Sequence, residues 1–312
     1  MKGDKGKISD LAVRLADFIR LTSSSLPEDA ERALKRALRR EKKTASPAAT
    51  VLETILANVA LARRQGTPVC QDTGTLTFFV DESLRKKVTP EVLGQAVQLA
   101  TEKGWLRRNT IDSISGKSID TNVCLGAPVV HYINGPRGQI ALLMKGGGSE
   151  NMSCQFSLPD AALGAGRDLE GVRRAVLAAV QKAQGFGCAP GILGVSIGGD
   201  RASGFEEAKL QLLRNLDDTN ADPRLARLER RILREANTLG IGPMGLGGKT
   251  TLLAVKIGAR PRVPASFFVT VAYLCWAARR RVLCLGGDKA IKARKGIKGV
   301  KGDKALKGRK EG

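Results

Sequence analysis

The amino-acid sequence predicts an α+β fold in which mixed sheets pack against helices within a single large domain. Segments with apolar residues at helical spacing are interspersed with short apolar runs bounded by glycine and proline. The two kinds of segment do not alternate strictly, as they would in a doubly wound fold. No interior linker is long enough to divide the 312-residue chain. We therefore expect one domain over residues 1–285, followed by a lysine-rich segment at 286–312.

Three helices are expected before the first strand. Apolar residues recur on one helical face over residues 8–21, 27–43 and 47–64, and the third pattern stops at Gly66 and Pro68. A loop then carries the chain into the sheet region.

The middle of the chain combines strands with one further helix. We expect a strand at residues 75–80, a helix at 90–103, and strands at 129–133 and 140–144. The turn-forming residues at 134–138 separate the last two strands, which predicts a hairpin.

The last third continues the mixed pattern, with three helices and three strands. The helices are expected at residues 169–184, 205–216 and 223–239, and the strands at 192–197, 250–257 and 267–272.

The net charge of +22 could indicate a nucleic-acid partner. Residues 286–312 hold ten basic and three acidic residues, so +7 of that charge lies in the lysine-rich segment. Such a segment has little to bury and predicts a solvated, disordered tail or a docking arm. Because the chain has only eight Phe, two Trp and two Tyr, it offers few surfaces on which bases could stack. Nucleic-acid binding is therefore the less favoured interpretation.

The cysteine content and hydropathy indicate a reducing compartment. Six cysteines occur without an apolar leader near the N-terminus, which favours free thiols and a cytoplasmic location. The longest apolar candidate, residues 264–278, is too short to span a membrane. We expect a soluble protein.

Three of the six cysteines lie where glycine or proline interrupts the regular pattern. Cys70, Cys188 and Cys275 are separated by 118 and 87 residues, which excludes a compact zinc knuckle. Three thiolates around a metal would leave one coordination position open for substrate or water. The surroundings of the other three predict ordinary buried thiols; they are Cys124, Cys154 and Cys284.

Two glycine-rich segments superficially match nucleotide-binding motifs. Residues 240–245 have the spacing of the dinucleotide fingerprint, but a helix is expected before them and a strand after them, the reverse of the required order. Residues 248–250 resemble the end of a phosphate loop whose leading glycine would be Pro243. The glycines of 146–148 and 240–248 either bring backbone N–H donors close to a ligand or form tight turns. Lys145 adds positive charge beside the first loop.

Five motifs in order resemble those of one family over roughly residues 8–285. They are Cys70-Gln71-Asp72-Thr73-Gly74, Leu106-Arg107, the segment 145–151 (Lys-Gly-Gly-Gly-Ser-Glu-Asn), Gly187-Cys188-Ala189-Pro190, and the glycine-rich segment 240–248. The sequence around Cys275 agrees as well. The chain resembles the α, or N-terminal, component of the class I iron–sulfur fumarate hydratase and L-tartrate dehydratase family, which implies the iron–sulfur hydro-lyase N-terminal type of fold.

The resemblance implies a four-iron four-sulfur cluster on Cys70, Cys188 and Cys275, with one iron lacking a protein ligand. That iron would act as a Lewis acid on a 2-hydroxy acid. It also implies that Gln71 and Asp72 contact substrate, and that the Asp72 carboxylate acts in catalysis. The alternative for Asp72 is a loop cap on local amides.

Further substrate contacts are implied for Arg107 and the glycine loop. Arg107 would bind a substrate carboxylate through two hydrogen bonds, although Arg108 beside it leaves this choice open. The amides of Gly146, Gly147 and Gly148 would line the same pocket. The only histidine, His131, lies in a strand pattern and is expected to be structural.

The family implies reversible hydration of fumarate to malate, a step of the tricarboxylic acid cycle, with L-tartrate dehydration as the alternative. A basic nucleic-acid-binding protein with structural cysteines is the second alternative. Fused members of the family carry a His after the Gly-Gly-Lys region, where this chain has Thr250 and Thr251. This departure fits the two-component branch. We therefore expect a separate β subunit, an α2β2 assembly, and no activity from this chain alone.

Overall fold

Two four-stranded mixed sheets form the framework of the protein in a computed structural model that describes residues 8–43 and 47–285. The predicted α+β class is confirmed. The predicted lysine-rich tail at 286–312 lies outside the described residues. The eight strands are β1 (Thr75–Asp81), β2 (Val129–Ile133), β3 (Gln139–Lys145), β4 (Cys154–Ser157), β5 (Gly191–Gly198), β6 (Leu252–Arg260), β7 (Phe268–Leu274) and β8 (Arg279–Cys284).

The first sheet has the order β2-β1-β3-β8. Strand β1 pairs in parallel with β2 and antiparallel with β3, and β3 pairs antiparallel with β8. The hairpin predicted across residues 134–138 is wrong, because β1 lies between β2 and β3. All of β1 after its first residue is buried, so a central position with a partner on each side satisfies its backbone hydrogen bonds.

The second sheet has the order β4-β7-β5-β6. Strand β5 is buried at every residue, as its continuous apolar sequence predicts, and it pairs in parallel with β6 and antiparallel with β7. The strand predicted at 250–257 begins at Leu252. The side chain of Asn237 accepts hydrogen bonds from the Thr251 and Leu252 amides (2.7 and 2.9 Å) just at the start of the strand.

Eight α-helices pack on these sheets in the described part of the chain. They are α1 (Asp10–Ser24), α2 (Glu28–Glu41), α3 (Ala48–Gln65), α4 (Pro90–Glu102), α5 (Gly147–Asn151), α6 (Leu169–Ala183), α7 (Arg201–Gln211) and α8 (Pro223–Ala236). Helix α7 begins four residues before its predicted start because Asp200 caps it, accepting hydrogen bonds from the amides of Ala202 and Ser203. No helix in residues 8–43 or 47–285 is long and apolar enough to cross a membrane.

Buried apolar side chains form three clusters around the sheets. One cluster joins α2 and α3 to residues from both sheets, and it includes Phe79, Leu143, Ile192 and Leu274. Cys70, Cys188 and Cys275 pack within this same cluster. The core that connects the two sheets therefore also gathers the three cysteines singled out by the sequence.

Candidate metal centre

Cys70 lies beside the end of the first sheet where β1 begins and β3 ends. It lies in the turn between α3 and β1, and Thr75 at the start of β1 pairs with Lys145 at the end of β3. Next to it, Met144 of β3 pairs with Arg279 at the start of β8. One edge of the sheet thus collects the Cys70 turn, the glycine loop after β3 and the chain segment before β8.

Cys188 and Cys275 meet at the corresponding edge of the second sheet. Cys188 precedes β5, Cys275 follows β7, and Ile192 of β5 pairs with Leu274 of β7. The amide of Trp276 donates to the Cys188 carbonyl oxygen (3.2 Å). Because the Cys275 turn leads from β7 into β8, it also connects this edge to the edge that carries Cys70.

The three thiols are unbridged; Cys275 is buried, and Cys70 and Cys188 are partly buried. Burial raises the pKa of Cys275 to about 11. Burial and, to a smaller extent, the nearby Cys70 raise the pKa of Cys188. Cys70, Cys188 and Cys275 thus lie near one another although they are far apart in the sequence.

On either side of Cys188 the loop packs so closely on Tyr273 that Gly187 and Gly191 have no room for a side chain. A Cβ added to Gly187 or Gly191 would fall 2.4 or 2.3 Å from atoms of the Tyr273 side chain. Tyr273 is 1% exposed, burial raises its pKa, and its hydroxyl has no hydrogen-bond partner in the described part of the protein. A buried O–H donor without a partner therefore lies next to the cysteines.

Asp72 connects the Cys70 turn to the glycine loop after β3. Its Oδ1 accepts hydrogen bonds from the Gly74 amide (2.7 Å) and from Asn109 Nδ2 (3.2 Å), and its Oδ2 accepts one from the Gly147 amide (2.7 Å). These are the contacts of the loop-cap alternative. A carboxylate offers about four acceptor positions, so one remains for a further donor.

The glycine loop approaches the Cys70 turn too closely for side chains. A Cβ on Gly146 would lie 2.8 Å from Asp72 Oδ2, and a Cβ on Gly74 would lie 2.4 Å from the Lys145 carbonyl oxygen. Gly74 also has φ +70°, a conformation that glycine adopts readily. Gly147 and Gly148 are exposed at the start of the short helix α5.

Arg107 is anchored to the same turn through its backbone. Its amide donates to Thr73 Oγ1 (3.0 Å), and Thr73 Oγ1 donates to its carbonyl oxygen (2.8 Å). Its side chain is exposed, whereas the guanidinium of Arg108 binds Asp120 (3.0 Å). Gln71 is exposed beside Cys70. Of the two candidate arginines, Arg107 is the one with an uncommitted side chain among the described residues.

Arg279 lies at this site although the sequence analysis did not identify it. Its side chain is 1% exposed, and Nη1 donates to the Asp72 carbonyl oxygen (2.6 Å). Nε and Nη2 have no hydrogen-bond partner within the described residues. The available signal was an arginine four residues after Cys275 at the start of a strand, but it lies in a run of three arginines that resembles a solvated segment.

Other sequence features lie away from the centre or support it indirectly. His131 stacks on Phe79 in the first sheet, with ring centroids 5.1 Å apart, and its Nδ1 lies 3.3 Å from Glu206. The 240–248 segment follows α8 and precedes β6, and the Met244 amide donates to the Ala189 carbonyl oxygen beside Cys188 (2.8 Å). This segment packs against the Cys188 loop, as the tight-turn alternative predicts.

The three thiols are of the ligand type that an iron–sulfur cluster requires. Within residues 8–43 and 47–285, no three His, Cys, Asp or Glu side chains are grouped so that they could hold one metal ion. The thiolates of an iron–sulfur cluster stand farther apart, because the cluster itself lies between them, and sulfur atoms of such clusters accept hydrogen bonds. The unpartnered donors of Tyr273 and Arg279 are suited to that role.

The fold and this site define a class of protein: an α+β domain with three unbridged cysteines where two mixed sheets meet. The chain belongs to the fumarate hydratase (fumerase) family, whose model matches residues 13–283. It is 46% identical over 266 residues to a protein from Geobacillus stearothermophilus assigned as a class I fumarate hydratase, covering 83% of this chain and 52% of that relative. This chain thus spans about half the length of that relative.

Two tartrate dehydratase subunits match over nearly their whole lengths. The chain is 34% identical to a Methanocaldococcus jannaschii protein assigned as L(+)-tartrate dehydratase subunit alpha, covering 88% of this chain and 96% of the relative. It is 30% identical to the L(+)-tartrate dehydratase subunit alpha of Escherichia coli O157:H7, covering 90% of this chain and 92% of the relative.

Proposed function

We propose that this chain is the α component of a hydro-lyase that reversibly hydrates fumarate to malate, with a four-iron four-sulfur cluster on Cys70, Cys188 and Cys275. The convergence of three unbridged thiols in a chain of this family carries the proposal. When bound, the cluster would supply a Lewis-acidic iron for the substrate's hydroxyl and carboxylate oxygens.

The surrounding residues would bind and orient the dicarboxylate. The exposed Arg107 guanidinium can hold one carboxylate through two parallel hydrogen bonds. Three donors already fix the Asp72 carboxylate, and its remaining acceptor position can take the substrate hydroxyl proton. Gln71 and the amides of Gly146 to Gly148 would complete the polar wall.

The proposal includes a separate β subunit, because two relatives that match along most of their lengths are alpha subunits. An α2β2 assembly in the cytoplasm is the form that we propose. The higher identity to the fumarate hydratase relative favours fumarate. L-Tartrate dehydration is the second candidate, favoured by the near-complete coverage of the tartrate dehydratase subunits.

Anaerobic reconstitution followed by assay with the β subunit tests this function. We expect about four irons per chain, and consumption of fumarate by the assembled pair in preference to L-tartrate. Preference for tartrate would replace the substrate but keep the reaction class. Absence of iron uptake, together with salt-dependent nucleic-acid binding that survives removal of residues 286–312, would overturn the proposal.

A further inference from the structure

Arg279 is a buried cation without a carboxylate partner. Its side chain is 1% exposed, and it forms no ion pair with any carboxylate in the described residues. Two other buried arginines are paired: Arg280 with Asp29 (2.5 Å) and Arg214 with Glu229 (2.9 Å). Because an uncompensated buried charge is strongly destabilising, a guanidinium this deeply buried without a carboxylate partner indicates that negative charge is supplied in another way.

The position of Arg279 shows where that negative charge would lie. Its Nη1 binds the Asp72 carbonyl oxygen, and its Nη2 lies 3.8 Å from the position that a Cβ on Gly146 would occupy. Its backbone amide donates to the Ala277 carbonyl oxygen (2.7 Å), in the turn that follows Cys275. The guanidinium therefore lies among the Cys70 turn, the glycine loop and the Cys275 turn.

The unused donors point to the same conclusion. Nε and Nη2 are both buried without a hydrogen-bond partner in the described parts of the chain. A buried donor left without an acceptor is destabilising, because it loses its hydrogen bonds to water and gains none in return. Thiolate or cluster sulfur atoms would provide acceptors as well as negative charge.

We propose that Arg279 is a positioning residue that fixes the Asp72 segment through Nη1 and uses Nε and Nη2 to compensate the negative charge of the bound cluster. The inference rests on the proposed function for its cluster part only. The contact with the Asp72 carbonyl oxygen exists without any bound group.

The test compares Arg279→Gln and Arg279→Lys with Arg281→Gln. Arg281 is a matched control because it lies on the same strand, is partly buried and donates hydrogen bonds to Leu21 O and Ser25 Oγ (3.3 and 2.8 Å). The first measurement is the reduction potential of the reconstituted cluster, followed by electron paramagnetic resonance. The second is hydrogen exchange at the Gly74 and Gly147 amides in cluster-free protein.

We expect Arg279→Gln to move the potential to a more negative value, because a nearby positive charge no longer stabilises the reduced cluster. In Arg279→Lys the reduction potential should stay close to the wild-type value. In Arg281→Gln it should be unchanged. In cluster-free Arg279→Gln, the Gly74 and Gly147 amides should exchange at least tenfold faster than in Arg281→Gln.

Equal reduction potentials in Arg279→Gln and Arg281→Gln would refute charge compensation. So would a potential in Arg279→Lys that is as negative as that of Arg279→Gln. Unchanged amide exchange would refute the positioning role. If Arg279→Gln does not fold, the exchange rates of Arg279→Lys decide, with a measurable increase supporting the proposal and unchanged rates overturning it. A wild-type chain that binds no iron would refute the proposed function, while the exchange measurement would still decide the role of Arg279 at Asp72.

Discussion

Lys145 Nζ lies 2.5 Å from Oε2 of Glu150, directly beside the glycine loop of the candidate centre. The lysine side chain is 1% exposed and also binds Ser153 Oγ (2.9 Å). Burial lowers the pKa of Lys145 to about 8, although Glu150 opposes the change. Burial alone would raise the pKa of Glu150, but Lys145 and Lys209 outweigh it and lower that pKa. The pair therefore holds a strongly desolvated cation close to the thiols.

The stability of the protein should depend on the ionisation of Lys145. In the unfolded chain this lysine keeps its proton up to about pH 10.5, whereas in the folded protein it loses it near pH 8. Between these values the unfolded state binds more protons, so the free energy of unfolding rises with pH, by at most about 1.4 kcal/mol per pH unit. Urea unfolding from pH 7 to 10.5 should show the wild type gaining stability relative to Lys145→Met. Parallel pH profiles would contradict this prediction.

Because two loops approach closely at Gly74, alanine there should destabilise the protein more than alanine at Gly104. Gly74 and Gly104 have nearly the same φ, +70° and +71°, but a Cβ on Gly104 would meet nothing within 4 Å. Gly104→Ala should therefore cost about 1 kcal/mol from backbone conformation. Gly74→Ala should cost about 1–3 kcal/mol more, because its Cβ would collide with the Lys145 carbonyl. Equal losses in urea unfolding of the two variants would show that the loops can separate freely.

Much of the fold followed from local patterns in the sequence. The helices α3, α4, α6 and α8 and the buried strand β5 lie close to their predicted positions, because periodicity or continuous apolarity marks them clearly. Strand β8 was missed, since its first three residues are arginines and two of them are buried through specific contacts. The pairing of β1 between β2 and β3 also depends on distant segments, which a local turn signal cannot reveal.

Some residues of the candidate site could be identified from the sequence, and others only from the folded structure. Cys70, Cys188 and Cys275 could be selected from the sequence because each interrupts a regular element and matches a family motif. The roles of Arg279 and Tyr273 could not, because their significance lies in buried donors left without partners after folding. Similarly, sequence alone could not choose between Arg107 and Arg108, whereas the Asp120 contact distinguishes them.

Removing any one of the three converging cysteines should abolish cluster binding. Each of the variants Cys70→Ala, Cys188→Ala and Cys275→Ala keeps only two thiolate ligands. Their iron and sulfide contents should therefore fall to background after anaerobic reconstitution. Cys154→Ala is the matched control: Cys154 is also desolvated, with burial raising its pKa to about 11, but it lies in strand β4. Full iron content in Cys188→Ala, or loss of iron in Cys154→Ala, would contradict the assignment.

Substrate binding should distinguish the two neighbouring arginines. Arg107 presents an exposed guanidinium, and its backbone position is fixed by Thr73 independently of the side chain. Arg107→Lys should therefore preserve the local structure while it loses the bidentate grip on a carboxylate. Hydrogen bonds to charged groups contribute about 1.5–3 kcal/mol, so we expect the KM for the dicarboxylate to rise at least tenfold.

Arg108→Lys is the control for this comparison, because the Arg108 side chain binds Asp120 at an exposed position. Exposed ion pairs contribute about 0–1 kcal/mol, so this variant should change KM by no more than about fivefold. Steady-state kinetics of the reconstituted α subunit assembled with its β subunit provides the measurement. A larger rise of KM in Arg108→Lys than in Arg107→Lys would reverse the assignment. It would also mean that the Asp120 contact is released when substrate binds.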